Sequence, residues 1–202
     1  DSRWLYSSSQ FGHITRIDQK TGTRKTIVDD RTENLRFNWN TPLLISPHNS
    51  STLYVGAQKV LKSINKGESW ENISPDLAGY DIDKKGFGPF VYGTLTTLDE
   101  SPIEEGVIWA GSDNGKVFLT KDGGKSWTNL NNKIIGNPNY WVTRITASNH
   151  NPSTAYLTYS GLRRDDFRPF IFKTEDYGNS WVSIASNLPN ESINVIKEDY
   201  RN

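Results

Sequence analysis

The stretch TKDGGKSW, Thr120–Trp127, decides the fold, because the chain writes it three times. SINKGESW (Ser63–Trp70) and TEDYGNSW (Thr174–Trp181) carry the same order of hydroxyl, Asp or Asn, Gly, Ser and Trp, at offsets of 57 and 54 residues. A period in this range, in a chain with no sustained 3.6-residue apolar spacing, marks an all-β repeat architecture. Each position of the motif has a structural use. Asp122 can accept hydrogen bonds from backbone N–H groups of a hairpin, and Gly124 can take the positive φ that a tight turn demands. The Thr120 and Ser126 hydroxyls can tie the two strand ends together, and Trp127 offers a large apolar wedge. Asn65 replaces the Asp in the first copy, keeping an acceptor and losing the charge.

Around each copy the same four segments recur. A first strand (PLLISPHN, TLTTLDESP, VTRITASNHNP) runs into a Pro-containing turn, and a second follows (TLYVGAQ, VIWAGSD, TAYLTYSG). A third leads into the motif (KVLKSIN, KVFLTKD, FIFKTED), and a fourth leaves it at the tryptophan (SWENISPD, SWTNLNN, SWVSIASN). These short runs of Val, Ile, Leu, Thr and aromatics between Gly, Asn, Asp and Pro are strands of a four-stranded antiparallel unit, and their radial repetition describes a propeller blade. The sequence accordingly divides into a partial blade at 1–30, blades at 40–78, 91–132 and 141–189, and a first strand of the next or closing blade at 192–202.

Composition narrows the function classes. Lys plus Arg equals Asp plus Glu at 23 each, so no net field attracts nucleic acid or an anionic membrane. No apolar run approaches the roughly 20 residues of a membrane span, and no membrane insertion is expected. Without cysteine there are no disulfides or thiolate metal sites, and the absence of methionine predicts a processed or excised chain. The motif's DGG has a superficial likeness to a calcium loop, but the spaced carboxylates and terminal Glu of such loops are missing. His13, His48 and His150 stand far apart in sequence, so no metal and no cofactor are expected.

On these motifs the chain resembles the BNR/Asp-box family of β-propellers, which includes sialidases, xyloglucanases, sortilin-like receptors and photosystem II assembly factors. The phrases RFNWNTPLLISP, LYVGAQKVLKS, GVIWAGSDNGKVFLTKDGGKSW and PFIFKTEDYGNSW are similar to large exported bacterial proteins described as "glycosyl hydrolase, BNR repeat" or sortilin-like. The resemblance implies a β-propeller segment of four-stranded Asp-box blades, part of a larger ring of about seven blades. It implies secretion to the periplasm, medium or cell surface, and other segments of the same parent protein as partners that complete the ring. It also implies that the structural box residues, Ser63, Asn65, Gly67, Trp70, Thr120, Asp122, Gly124, Trp127, Thr174, Asp176, Gly178 and Trp181, lie at the periphery, opposite the ligand face.

The opposite face is then formed by the loops between second and third strands and by the inter-blade connections. The former are Ser9–His13, Gly56–Lys59, Ser112–Gly115 and the long, charged Ser160–Pro169; the latter are Asp29–Pro42, Ser74–Gly93 and Gly136–Trp141. Candidate ligand contacts on them are Gln10, Arg36, Trp39, Gln58, Tyr92, Asp113, Trp141, Arg163 and Arg164, since aromatic faces beside fixed polar groups suit glycan, peptide or protein ligands. The competing reading makes Trp39 and Trp141 inter-blade packing and the charges of 163–168 a self-neutralising surface network. The Ser74–Gly93 loop, with Asp81, Asp83, Lys84 and Lys85, is a lid or a plain insertion. Glycoside hydrolysis needs two carboxylates about 5–9.5 Å apart, one held protonated. Asp113, Asp165 and Asp166 are the candidates, although the arginine triad and Tyr/Glu pair of sialidases and the catalytic aspartates of xyloglucanases find no residue-by-residue match here. The leading expectation is an exported recognition module, with a hydrolase and an assembly or scaffold factor as alternatives.

Overall fold

Segments such as LYVG and IWAGS are apolar on both sides of the pleat, and the fold covers both sides: every residue of these two strands is buried. The computed structural model describes residues 3–29, 34–79 and 92–201. Among them fifteen strands form four antiparallel sheets, and within each sheet neighbours in sequence are neighbours in space. The first sheet has three strands, β1 (Trp4–Ser8), β2 (Ile14–Asp18) and β3 (Arg24–Val28). The second holds β4 (Leu43–Ile45), β5 (Leu53–Gly56), β6 (Val60–Ser63) and β7 (Glu71–Asn72). The third holds β8 (Leu95–Glu100), β9 (Ile108–Ser112), β10 (Val117–Thr120) and β11 (Thr128–Asn129). The fourth holds β12 (Trp141–Ala147), β13 (Ala155–Gly161), β14 (Asp166–Thr174) and β15 (Val182–Ser183).

The chain divides into two compact units, Asp1–Leu95 and Thr96–Asn202. In the first, Ile14 and Val28 pack with Phe37, Val55, Ala57 and Leu61, and Trp70 closes over this cluster from its edge. The core of the second is more aromatic. Trp109 and Trp181 meet edge to face at 6.0 Å and 83°, and Tyr159 and Phe172 do so at 6.0 Å and 85°. Each such pair adds about 0.5–1.5 kcal/mol beyond the area it buries.

Two expectations change here. The fourth strands shrink to two-residue ladders in β7, β11 and β15, all exposed. Each is a sheet edge, and a short polar edge resists pairing with other chains. A single bond prolongs each of them, Ile73 N–H to Val60 O, Leu130 N–H to Val117 O and Ile184 N–H to Ile171 O, at 3.0, 2.9 and 3.0 Å. The segment at 192–201 forms no ladder strand. It lies along the fourth sheet through side chains instead: Ser148 Oγ, Tyr156 Oη and Asn149 N–H all donate to the Glu198 carboxylate. Its end repeats the turn that follows β12: Asp199 Oδ1 accepts the Arg201 N–H at 2.8 Å, as Ser148 Oγ accepts the His150 N–H at 3.0 Å.

Candidate functional site

The second and third of the repeated turns share one hydrogen-bond set, and the first differs from them in one bond. In the second copy Thr120 Oγ1 donates to Asp122 Oδ1 at 2.8 Å and accepts the Gly124 N–H at 2.9 Å. The Ser126 N–H then reaches Asp122 Oδ1 and its hydroxyl reaches Oδ2, at 2.9 and 2.6 Å. Thr174, Asp176, Gly178 and Ser180 repeat the set. In the first copy one bond reverses: Asn65 Nδ2 donates to Ser69 Oγ at 2.9 Å, while Ser63 keeps its bonds to Asn65 and Gly67. Hydrogen bonds from the Ser126 side chain and backbone, joined by Thr120, hold the Asp122 carboxyl well below the usual range. Burial alone would push Asp176 up, but its Ser180 and Thr174 bonds outweigh that and lower it.

Two consecutive residues in each turn are left-handed. Lys66 and Gly67 have φ of 61° and 85°, Gly123 and Gly124 of 70° and 100°, and Tyr177 and Gly178 of 57° and 78°. The first of each pair sends its N–H to the preceding turn of its own sheet, at Ser51, Gly106 and Ser153 carbonyls. In the first and third copies the last glycine faces the neighbouring sheet of its own unit. A Cβ on Gly67 would stand 2.6 Å from Ile27 Cδ1, and one on Gly178 would stand 2.6 Å from Leu130 Cδ1. Trp70 Nε1–H also donates to Ile27 O at 2.8 Å. These are packing and turn-forming groups. Among the described residues no cluster of three His, Asp or Glu side chains is arranged to hold a metal ion.

The other ends of the strands carry the candidate ligand residues. In the first unit Gln10 is exposed in a turn where Phe11 has φ of 58°, and Phe11 meets Trp39 edge to face at 5.2 Å. Trp39 remains 37% exposed. Gln58 is buried, and its amide accepts the Arg36 N–H at 2.7 Å and donates to Asn34 O at 2.6 Å. Arg36 in turn pairs with Asp76 at 2.7 Å. Gln58 and Arg36 therefore fix a connecting loop, and Tyr92 is half-buried. Asp81, Asp83, Lys84 and Lys85 lie outside the described residues, as does part of the Asp29–Pro42 connection.

In the second unit the site gathers at the tip of the β13–β14 hairpin. The expected loop Ser160–Pro169 is mostly strand: β13 runs to Gly161 and β14 begins at Asp166, leaving only Leu162–Asp165 as the turn. A register shift between Tyr159 and Gly161 and the left-handed Asp165, φ 55°, fold this turn back over the start of β12. The Arg163 guanidinium thereby lies 3.9 Å from the Trp141 ring centroid, and that of Arg164 lies 5.8 Å from Tyr140. Asp166 accepts two bonds from the Arg168 side chain, at 2.9 and 2.6 Å, and one from Tyr140 Oη at 3.1 Å. The Arg168 side-chain bond is the main reason that the Asp166 carboxyl sits far below its ordinary range. Asp113 is buried, in the hairpin turn after β9, and Asp165 is exposed.

The structure thus brings Trp141, Arg163, Arg164 and Asp166 together and leaves Asp113 folded into its own turn. It adds Tyr140, Arg168 and Phe170, whose rings and charges brace the cluster; Tyr140 and Phe170 meet edge to face at 5.5 Å. The paired doublets Tyr140–Trp141 and Arg163–Arg164 were the available signal, since β12 and β13 are antiparallel and Trp141 stands opposite Ser160. A carboxyl that burial pushes up, to about 6, is Asp99. It lies toward the far end of β8, nearer the repeated turns, and accepts the Ala147 N–H at 2.9 Å.

No family model matches the chain, and no curated protein matches it in sequence. Solved structures do match in fold. The GH74 xyloglucanase of Xanthomonas campestris superposes with a TM-score of 0.61 at 17% identity, over 92% of this chain and 29% of that one. A structure of YCF48 bound to D1 peptide gives 0.54 at 16%, over 92% and 52%. The extracellular domain of a putative hybrid two-component system from B. thetaiotaomicron gives 0.52 at 13%, over 95% and 21%. The fold is a β-propeller segment. The chain spans between about a fifth and a half of these proteins' lengths, and such identities carry the fold alone.

Proposed function

We propose that this chain is a recognition module, which binds a glycan, peptide or protein at the hairpin ends of its blades, away from the repeated turns. The carrying observation is the Arg163–Trp141 stack at the β13–β14 tip, with Arg164 over Tyr140 beside it. Exposed cations held over aromatic rings are preorganised for a ligand and contribute little to a core. The β-propeller likeness and the three repeated turns support membership of the Asp-box group, completion of the ring by other segments of a parent protein, and an exported location. No helix among the described residues is long and apolar enough to cross a membrane.

Hydrolysis, which the GH74 likeness brings forward, is the second reading. It is less well supported, because among the described residues the carboxylates at this end form no acid and base pair. Asp113 is buried in a turn, Asp166 is committed to Arg168 and Tyr140, and the raised carboxyl, Asp99, lies toward the opposite end of its strand. The test is a titration of the full chain with xyloglucan oligosaccharides and with peptides, followed by the Trp141 indole signal, beside a turnover assay on the same glycans. Recognition predicts saturable shifts at Trp141 without product; product formation that Asp166→Asn abolishes would establish the hydrolase instead.

A further inference from the structure

The guanidiniums at the hairpin tip are not equal. Arg168 is neutralised by Asp166, whose two oxygens are already engaged by Arg168 and Tyr140. Arg163 and Arg164 are exposed, and among the described residues neither has an ion pair; their contacts are with aromatic rings. Each keeps a planar fork of N–H donors and no acceptor, the geometry that matches a carboxylate. Against the single carboxylate of Asp165 they leave one positive charge at the tip. The chain as a whole is neutral, so no net field draws a polyanion to it. One face of Trp141 is covered by Arg163, which removes that face as a stacking platform for a neutral sugar. Leu162 and Phe167 flank the tip, 45% and 52% exposed, and offer apolar contact on either side of the charges.

Resting on the recognition reading, we propose that the β13–β14 tip is a carboxylate clamp for an acidic peptide segment, with Arg163 and Arg164 as its forks. Trp141 and Tyr140 act as positioning residues that hold the forks in place over their rings. A ligand with carboxylates next to an apolar residue fits the tip, whereas its amide counterpart does not neutralise the forks.

The experiment uses the full chain and an acetylated Glu-Phe-Glu-Leu-Glu peptide, its Gln counterpart, and a neutral xyloglucan heptasaccharide. Binding is followed by the arginine Nε–H and Trp141 indole resonances. The acidic peptide is expected to shift the Arg163, Arg164 and Trp141 signals and to bind about tenfold or more tightly than the Gln peptide. The double variant Arg163→Gln/Arg164→Gln should reduce it to the Gln level. The double variant Arg163→Lys/Arg164→Lys, which keeps the charge and loses the fork, should fall between them. Equal binding of the two peptides, or unchanged binding by the Gln double variant, overturns the clamp. Shifts with the heptasaccharide and none with the acidic peptide also overturn it and leave the recognition reading standing. If no probe moves a signal at the hairpin end, both fall.

Discussion

Replacing Gly178 and Gly123 by alanine separates two demands that the repeated turn makes on glycine. Both positions are left-handed, with φ of 78° and 70°. A Cβ on Gly123 meets nothing within 4 Å, whereas one on Gly178 stands 2.6 Å from Leu130 Cδ1 and 3.2 Å from Cδ2. The backbone penalty common to both is about 1–2 kcal/mol. Leu130 is 2% exposed and held in the second unit's core, so Gly178→Ala adds an overpacking cost of about 1–3 kcal/mol. Gly178→Ala should therefore cost roughly 2–5 kcal/mol in all and Gly123→Ala roughly 1–2. Urea unfolding followed by tryptophan fluorescence measures both, provided the slope m is unchanged. A cycle with Leu130→Ala supplies the internal check, because truncating that side chain should recover about 1–3 kcal/mol of the Gly178→Ala loss as a coupling energy. Equal losses at the two glycines to within about 0.5 kcal/mol, or a cycle that closes additively, would refute the seating of the turn on Leu130.

Three further outcomes follow from the same geometry. Asp99 has a folded value of about 6 against an ordinary 3.8, so its own contribution to stability is full below about pH 4 and is lost as pH rises to about 6. Asp99→Asn should remove that decline in a pH series of denaturation midpoints and leave the variant more stable than the wild type at pH 8. Asp122 and Asp176 have lowered values, so their contribution is full above about pH 4 and is lost as pH falls through the folded values. The double change to Asn, the residue already present at position 65, should flatten this acid limb, and an unchanged limb would contradict it. Trp70→Phe removes the 2.8 Å bond to Ile27 O and should cost about 1 kcal/mol by urea unfolding, more where the carbonyl is left dry.

The repeated turn was legible because its bonds are local. Thr120, Asp122, Gly124 and Ser126 lie within seven residues and form one closed set, so the spacing carries the structure. The left-handed position before that glycine was not legible, since Lys66 and Tyr177 occupy it in two copies and neither announces a positive φ. The inner strands followed from their apolar runs, whereas the outer strands looked longer in sequence than β7, β11 and β15 are, because polar edge residues form few ladder bonds. At the candidate site, Trp141, Arg163 and Arg164 could be singled out by residue type, but their contact depends on a two-residue register shift and on Asp165 turning left-handed. Gln58 and Asp113 were candidates because they are polar and stand in loops. The burial of Gln58 goes with bonds to groups distant in sequence, the Arg36 backbone and Asn34 O, and no local pattern encodes it.

Seating the first and third turns on the sheet before them has a kinetic side. Gly67 and Trp70 lie on Ile27, and Gly178 lies on Leu130, so in each unit one sheet's closure is also its neighbour's latch. Free energy in such an array is a sum of intrinsic and nearest-neighbour terms, as in a one-dimensional lattice. Opening one latch exposes the outer strand of the preceding sheet before its own central strands, so amide protons there should exchange by a lower-energy route. β3 should lose protection together with the Lys66–Gly67 turn, while β5, buried on both faces, exchanges last in its unit. A defect at one motif is then felt first in the sheet that the motif does not belong to.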